Sequence, residues 1–410
     1  MKVLAYTSPA RGHVYPVVPT LLELRDRGHE VAVRTLASEV ANLRSVGLGA
    51  SAVSPLVEAR EMDDWRAKNP LAQLKRALAA FVDRAEIEVP DLTEAIERDR
   101  PDLLLIDVNS WGAQAVAEAS GIPWAVYAPY PLPIPSRDAP PFGLGLKPMA
   151  GPLGRLRDRS VTELSLLSWN RVLPRLNDVR ASAGAPNFRG VGQVFGRAPV
   201  TIAFTAEPFE YPRSDWPSSV RLVGPSLWEP TAETPAWIRD LQQPVVLVST
   251  STEFQADDRL LQVALDALAG EPVMVIATSP IGSRAGLQIP ANARVEAFVP
   301  HGPILKFAVC VVCHGGMGTT QKALAAGVPV CVVPFGRDQP EVARRVEVAR
   351  AGTRLPAARL NAARLRQAVR EAMTMSAGAA RIASAFAAAG GAPAAADALE
   401  RQVRVISSTS

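Results

Sequence analysis

His13 closes the run Thr7-Ser8-Pro9-Ala10-Arg11-Gly12-His13, and Asp107 ends the apolar run Leu103-Leu104-Leu105-Ile106. A histidine beside a carboxylate is an acid–base pair: the carboxylate fixes the tautomer and supports the imidazolium, while the other ring nitrogen takes a proton. Taken singly, each has a plainer role, His13 as a capping or turn histidine and Asp107 as an N-cap ahead of Trp111. The segment His314-Gly315-Gly316-Met317-Gly318-Thr319-Thr320 offers different chemistry. Its glycines let the backbone approach a ligand, and successive N–H groups opening a helix bind an anion, with His314 and the Thr319 and Thr320 hydroxyls as further donors. The alternative is an ordinary glycine-rich strand-to-helix turn. In Phe335-Gly336-Arg337-Asp338-Gln339-Pro340, an acid and an amide stand side by side. They suit vicinal sugar hydroxyls, or a helix cap formed by Asp338 ahead of Pro340 and Glu341. Neither a G-x-G-x-x-G after the first strand nor a G-x-x-x-x-G-K-[ST] loop is present.

Short apolar runs alternating with longer helical ones must position these residues. The pattern predicts strands at Lys2–Tyr6, Glu30–Arg34, Asp102–Asp107 and Pro123–Tyr127, with helices at Tyr15–Arg27, Leu71–Glu88 and Trp111–Ser120 between them. It restarts at Pro244–Val248, followed by a helix at Asp257–Ala269 and strands at Val273–Thr278, Val295–Phe298, Val309–Cys313 and Val328–Val333. Alternation of this kind implies βαβ units and parallel sheets. The expected architecture is α/β: two doubly wound domains, 1–224 and 244–390, joined by a Pro-, Trp- and Thr-rich linker at 225–243 and followed by a helix or tail at 391–410. Ligands bind such sheets at the carboxyl ends of the strands, where the motifs above fall.

Composition removes several function classes. The chain has 410 residues, 48% of them hydrophobic, which is enough for large cores. A net charge of +4, with no basic block interleaved with aromatics, argues against nucleic acid as a partner and suits an anionic small ligand. Three cysteines exclude a disulfide framework. Cys310-Val311-Val312-Cys313-His314 formally matches the C-x-x-C-H haem-attachment pattern, but in a strand positions three apart face opposite sides, so no haem, metal or redox pair is expected there. No secretory leader and no apolar stretch of bilayer-spanning length is expected, which leads to a cytoplasmic assignment.

With these residues in view, the chain resembles the bacterial family-1 glycosyltransferases of the GT-B fold, which act on macrolides and other natural products, and their plant and animal UDP-glycosyltransferase relatives. The resemblance runs through Arg11-Gly12-His13 with Pro16, Asp107, Val223-Gly224-Pro225, Phe298-Val299-Pro300, His314–Thr320 and Asp338-Gln339. It implies two Rossmann-like domains facing across a cleft, and inverting transfer of a hexose, with glucose favoured, from a UDP- or dTDP-linked donor to a hydroxyl of a small lipophilic acceptor. It makes His13 the general base and Asp107 its orienting acid. His314, Gly316, Gly318 and Thr319 would hold the diphosphate, with Ser251 of the loop Ser249–Thr252 beside them. Phe298, Val299 and His301 would border the base and ribose, and Asp338 and Gln339 the donor sugar. Plant relatives carry Trp and Gln where Phe298 and His301 stand, which leaves UDP and dTDP both open. The nucleotide sugar is a co-substrate, and the resemblance implies no cofactor and no metal.

The acceptor is expected in the first domain, near Ala59–Phe81 and Tyr127–Phe142. Lys147, Arg155, Arg157 and Arg159 lie among apolar residues, as a solvated helix start or a membrane contact. Monomer and homodimer are both open. Two rival readings share the donor loop: a non-catalytic nucleotide-sugar-binding auxiliary protein, against which His13 and Asp107 argue, and a GT-B sugar-nucleotide epimerase, which would need no lipophilic acceptor pocket.

Overall fold

The computed structural model describes residues 1–67, 70–251, 258–280 and 286–407. Its first half runs β1 (Lys2–Tyr6), α1 (Arg11–Asp26), β2 (Glu30–Thr35), α2 (Val40–Ser45), β3 (Gly49–Ala52), α3 (Pro55–Glu58), α4 (Pro70–Asp99), β4 (Leu103–Asp107), α5 (Trp111–Ala119), β5 (Trp124–Ala128), α6 (Gly151–Trp169), α7 (Leu173–Ser182), β6 (Thr201–Ala203) and β7 (Val220–Leu222). The second half runs β8 (Val245–Ser249), α8 (Asp258–Leu268), β9 (Met274–Thr278), β10 (Ala293–Glu296), α9 (His301–Leu305), β11 (Ala308–Cys313), α10 (Met317–Ala325), β12 (Val330–Val332), α11 (Gln339–Val348), β13 (Gly352–Arg354), α12 (Ala362–Met373), α13 (Ser376–Ala388) and α14 (Gly391–Ser407).

Both sheets are parallel throughout, in the orders β3-β2-β1-β4-β5-β6-β7 and β10-β9-β8-β11-β12-β13. Helices cover both faces, which is why the central strands read as unbroken apolar runs. Side chains alternate between the faces: Val3 and Ala5 of β1 belong to one core, Leu4 and Tyr6 to the other. The same alternation separates Cys310 from Cys313 on β11, so the two thiols face opposite cores. All three cysteines are free and buried, and burial pushes the thiols up.

Strand order reverses direction between β1 and β4 in the first sheet, and between β8 and β11 in the second. A crevice opens at such switch points, because the flanking connections leave to opposite faces. His13, Asp107, Ser251 and His314 stand at or shortly past the carboxyl ends of these four strands.

The segment 225–243 is packed rather than extended. Trp228 meets the Tyr15 ring edge-on at 5.1 Å, and Glu229 pairs with Lys322 at 2.9 Å. After α13 packs Ile382 and Phe386 on the second core, α14 returns to the first, burying Ala395, Ala396 and Leu399 against α1 and β1. Arg27–Asp397 at 2.6 Å and His29–Glu400 at 3.1 Å fasten it. The span Ser376–Arg404 has the length and mean hydropathy, 1.2, of a bilayer-crossing helix, contrary to the composition-based expectation. Gly390 and Gly391, both at positive φ, divide it into two helices whose apolar sides pack on protein.

Candidate active site

α1 begins at Arg11, four residues earlier than its periodicity predicts, because Ala10 O accepts from the N–H of both His13 and Val14. His13 therefore sits in the first turn, over the carboxyl end of β1. β4 ends beside it at Asp107, which is fully buried. Asp107 Oδ2 lies 2.8 Å from His13 Nδ1. Its Oδ1 accepts the Asn109 backbone N–H at 2.8 Å, closing a turn at the strand end. The carboxylate can only accept, so the proton between the pair belongs to Nδ1, and in the neutral imidazole Nε2 then keeps its lone pair. Nε2 faces Asn109 Nδ2 at 3.4 Å, and Asn109 Oδ1 accepts from Tyr130 OH at 2.6 Å. Tyr127 OH donates to His13 O at 3.1 Å, tying the helix turn to β5. Asn109 was not legible as a site residue, and Tyr130 only as part of the expected acceptor stretch Tyr127–Phe142; both stand just past a strand end.

A cleft of about 1630 Å³ lies between the two sheets. It is lined by His13, Ser251, Phe298, Val299, His301, His314, Gly316, Gly318, Thr319, Asp338 and Gln339, while Asp107 lies behind His13 and does not reach it. Thr252, expected in the same loop as Ser251, lies outside the described residues, as does Asp257 at the expected start of a helix.

In the glycine-rich loop, Gly315 adopts φ +100°, and a Cβ there would meet Val332 Cγ1 at 2.8 Å. A Cβ on Gly316 would strike His314 Nε2 at 2.5 Å, so this glycine leaves room for the imidazole. A Cβ on Gly318 would meet no protein atom within 4 Å; the space it leaves belongs to the cleft. Thr319 lines the cleft, but Thr320 does not. It is fully buried, and its hydroxyl donates to Gly316 O at 3.0 Å, which corrects its expected part in anion binding.

Asp338 holds the N-cap position of α11 without a side-chain capping bond, so its carboxylate is not engaged as the cap alternative requires. Burial raises its pKa above the usual carboxylate range, against the charge of the neighbouring Arg337. Gln339 Oε1 accepts from the N–H groups of Phe335 at 2.7 Å and Gly336 at 3.2 Å, which shapes the turn. Arg337, at φ +53°, forms an ion pair with Asp64 of the first half at 2.9 Å. Below it, the buried Arg345 binds Glu210 at 2.7 Å and Glu341 at 2.9 Å, and Glu341 accepts from Gly143 N and Gly145 N. Burial opposes the charge on Glu210, yet Arg345 and Arg213, with the Tyr211 N–H, together hold the carboxyl below its ordinary range.

β10 ends at Glu296, so Phe298 lies past the strand rather than in it, and it is exposed. Val299 is buried. His301 opens α9 with Nε2 3.1 Å from Thr278 Oγ1, and desolvation lowers its imidazole to about 4 despite Glu229, so it is neutral near pH 7. At the other end the cleft is apolar and aromatic. Both expected acceptor segments reach it, through Trp65, Leu74, Phe81 and through Tyr130, Phe142. Trp111, Trp169 and Leu164 of α6 complete this wall and were not anticipated. Among the described residues, no group of three or more His, Cys, Asp or Glu is placed to hold a metal ion.

Residues 262–400 match the family described as erythromycin biosynthesis protein CIII-like, C-terminal domain. The chain is 36% identical to 4'-demethylrebeccamycin synthase of Lentzea aerocolonigenes, over 90% of this chain and 91% of that one. It belongs to this glycosyltransferase family. A second relative, the NDP-glycosyltransferase YjiC of Bacillus licheniformis, is 27% identical over 90% of this chain and 88% of its own. The glycosyltransferase fold is GT-B: the kitacinnamycin glycotransferase superposes with a TM-score of 0.77 at 24% identity, covering 98% of each chain. The spinosyn rhamnosyltransferase SpnG, solved with thymidine diphosphate, superposes at 0.72 with 20% identity, covering 98% of this chain and 100% of its own. As a family member the chain is a nucleotide-sugar-dependent glycosyltransferase.

Proposed function

We propose that this chain moves a hexose, glucose in the first instance, from a UDP- or dTDP-linked donor to a hydroxyl of a lipophilic natural product, with inversion at the anomeric carbon. The observation that carries it is the His13 Nδ1–Asp107 Oδ2 pair at 2.8 Å, on the wall of the same cleft as the His314–Thr319 loop. The cleft exceeds the roughly 300–1,000 Å³ usual for one small ligand, which suits a donor and an acceptor held together. His13 Nε2 would accept the proton of the acceptor hydroxyl as its oxygen attacks the anomeric carbon. The bond from that carbon to the diphosphate oxygen breaks, and the electron pair leaves with the diphosphate. Asp107 would hold Nδ1–H and support the imidazolium. The α10 N-terminus, with His314 and Thr319, would stabilise the developing charge without a metal. Asp338 and Gln339 would face the sugar, and Val299 and His301 the nucleoside.

The apolar end formed by Trp65, Phe81, Trp111 and Phe142 supports a lipophilic acceptor over the epimerase reading, which gives those residues no substrate to contact. The relationship to 4'-demethylrebeccamycin synthase supports a natural-product acceptor. The test incubates the protein with UDP-glucose or dTDP-glucose and sets of phenolic, indole-type, macrolide and terpenoid alcohols, with mass-spectrometric readout. A product heavier by one hexose is expected from one donor. Donor turnover without any acceptor would overturn transfer in favour of epimerisation.

A further inference from the structure

α6 is the least covered long helix of the first half. Leu153, Leu156, Leu164 and Leu167 are 62–75% exposed on one of its sides, an expensive arrangement for a face meeting only water. Their spacing is symmetric: taken from Ser160, they stand at −7, −4, +4 and +7. At about 100° per residue these five positions form one stripe along the helix. Reversing the helix end for end about Ser160 maps the stripe onto itself, Leu153 onto Leu167 and Leu156 onto Leu164.

A stripe with this property is self-complementary in the sense a two-fold interface requires. We propose that α6 pairs antiparallel with α6 of a second copy of this chain, with the two-fold axis beside Ser160. The small serine lets the axes approach where they cross, and the leucines interleave on either side. The charges agree with this occupant. Arg159 and Glu163, paired at 3.0 Å and both largely exposed, lie on the same flank of the stripe. The two-fold therefore sets each pair beside its inverted copy, with opposite charges adjacent. Leu164 also lines the cleft, so the second copy's helix would border the apolar end of the site.

The test is light-scattering mass measurement of the full chain on a size-exclusion column across a dilution series, together with cysteine crosslinking. The wild type should run at twice the mass of one chain. Leu153→Glu with Leu167→Glu should run as a monomer with an unchanged circular dichroism spectrum, because both leucines are exposed within one chain. Ser160→Cys should give a covalent dimer on mild oxidation, since the axis brings position 160 against itself, whereas Leu153→Cys alone should not; the native Cys310, Cys313 and Cys331 are buried. A monomeric wild type, or a dimer that survives the paired glutamates, would overturn the proposal. So would a monomer that sediments with anionic vesicles through these leucines, which would make the stripe a lipid contact.

Discussion

Asp107 divides its two carboxylate oxygens between two tasks: Oδ2 meets His13 Nδ1 at 2.8 Å, and Oδ1 accepts the Asn109 backbone N–H at 2.8 Å. Base orientation and strand termination thus use one side chain, and the two readings of this acid in the sequence are compatible.

Asp107→Asn should separate the two tasks. The amide oxygen can still accept from Asn109 N–H, while the amide nitrogen turns a donor toward His13. That favours the tautomer with the proton on Nε2, where the base must be free. Turnover should fall about 10²- to 10⁴-fold with the melting temperature little changed. Steady-state kinetics beside a thermal melt checks this, and near-normal turnover would remove Asp107 from the mechanism.

The glycines of the donor loop should respond in opposite ways. Gly318→Val places its side chain in open cleft, so the fold should stand while nucleoside diphosphate binding weakens at least tenfold. Gly315→Ala meets Val332 from a positive φ and should destabilise by roughly 1–3 kcal/mol. Calorimetric titration with UDP and dTDP, paired with denaturant unfolding, distinguishes the two effects.

Arg345→Ala should be among the most damaging changes remote from the cleft. It leaves the buried Glu341 without a cation and the buried Glu210 with Arg213 alone, at 3.3 Å. A loss of about 3–5 kcal/mol is expected, read by chemical denaturation. Because Glu341 also holds Gly143 and Gly145 of the first half, nucleotide-dependent stabilisation should fall as well.

Glu88 gives the fold a pH signature. Burial lifts its carboxyl to about 8, against the backbone N–H of Gly112, which accounts for one oxygen at 2.9 Å. Between 4.5 and about 8 the native state keeps a proton that the unfolded chain releases. The unfolded state then binds fewer protons, so this residue's contribution to stability declines as pH rises through that window. Glu88→Gln should flatten the decline, and melting curves at pH 6 and pH 8.5 would show it.

The strand–helix alternation, the parallel sheets and the glycine-rich loop were legible because each is a local pattern of a few residues. β1, β4 and β9 came out close to their predicted limits. Short strands with little apolar content, such as Gly49–Ala52 and Gly352–Arg354, carry no such pattern and exist through pairing with a neighbour. The start of α1 was displaced because Pro16 and Pro19 lie inside the helix, where composition places a boundary. Within the site, His13 and Asp107 were readable, but Asn109 and Tyr130 gain their part only through the geometry of two strand ends. Arg337 meets Asp64 across 273 positions of sequence, a distance over which periodicity says nothing. Thr320 misled because its type matched an anion loop while its place on the helix turns it inward.

The most direct measurement compares transfer and nucleotide binding in the same His13→Ala preparation, using the donor and acceptor that give product with the wild type. Affinity for the nucleoside diphosphate should stay within about twofold, because His13 belongs to the other half of the cleft, while hexose transfer falls by at least 10². Transfer within a few-fold of wild type, or binding lost together with it, would contradict the assignment of His13 as the base.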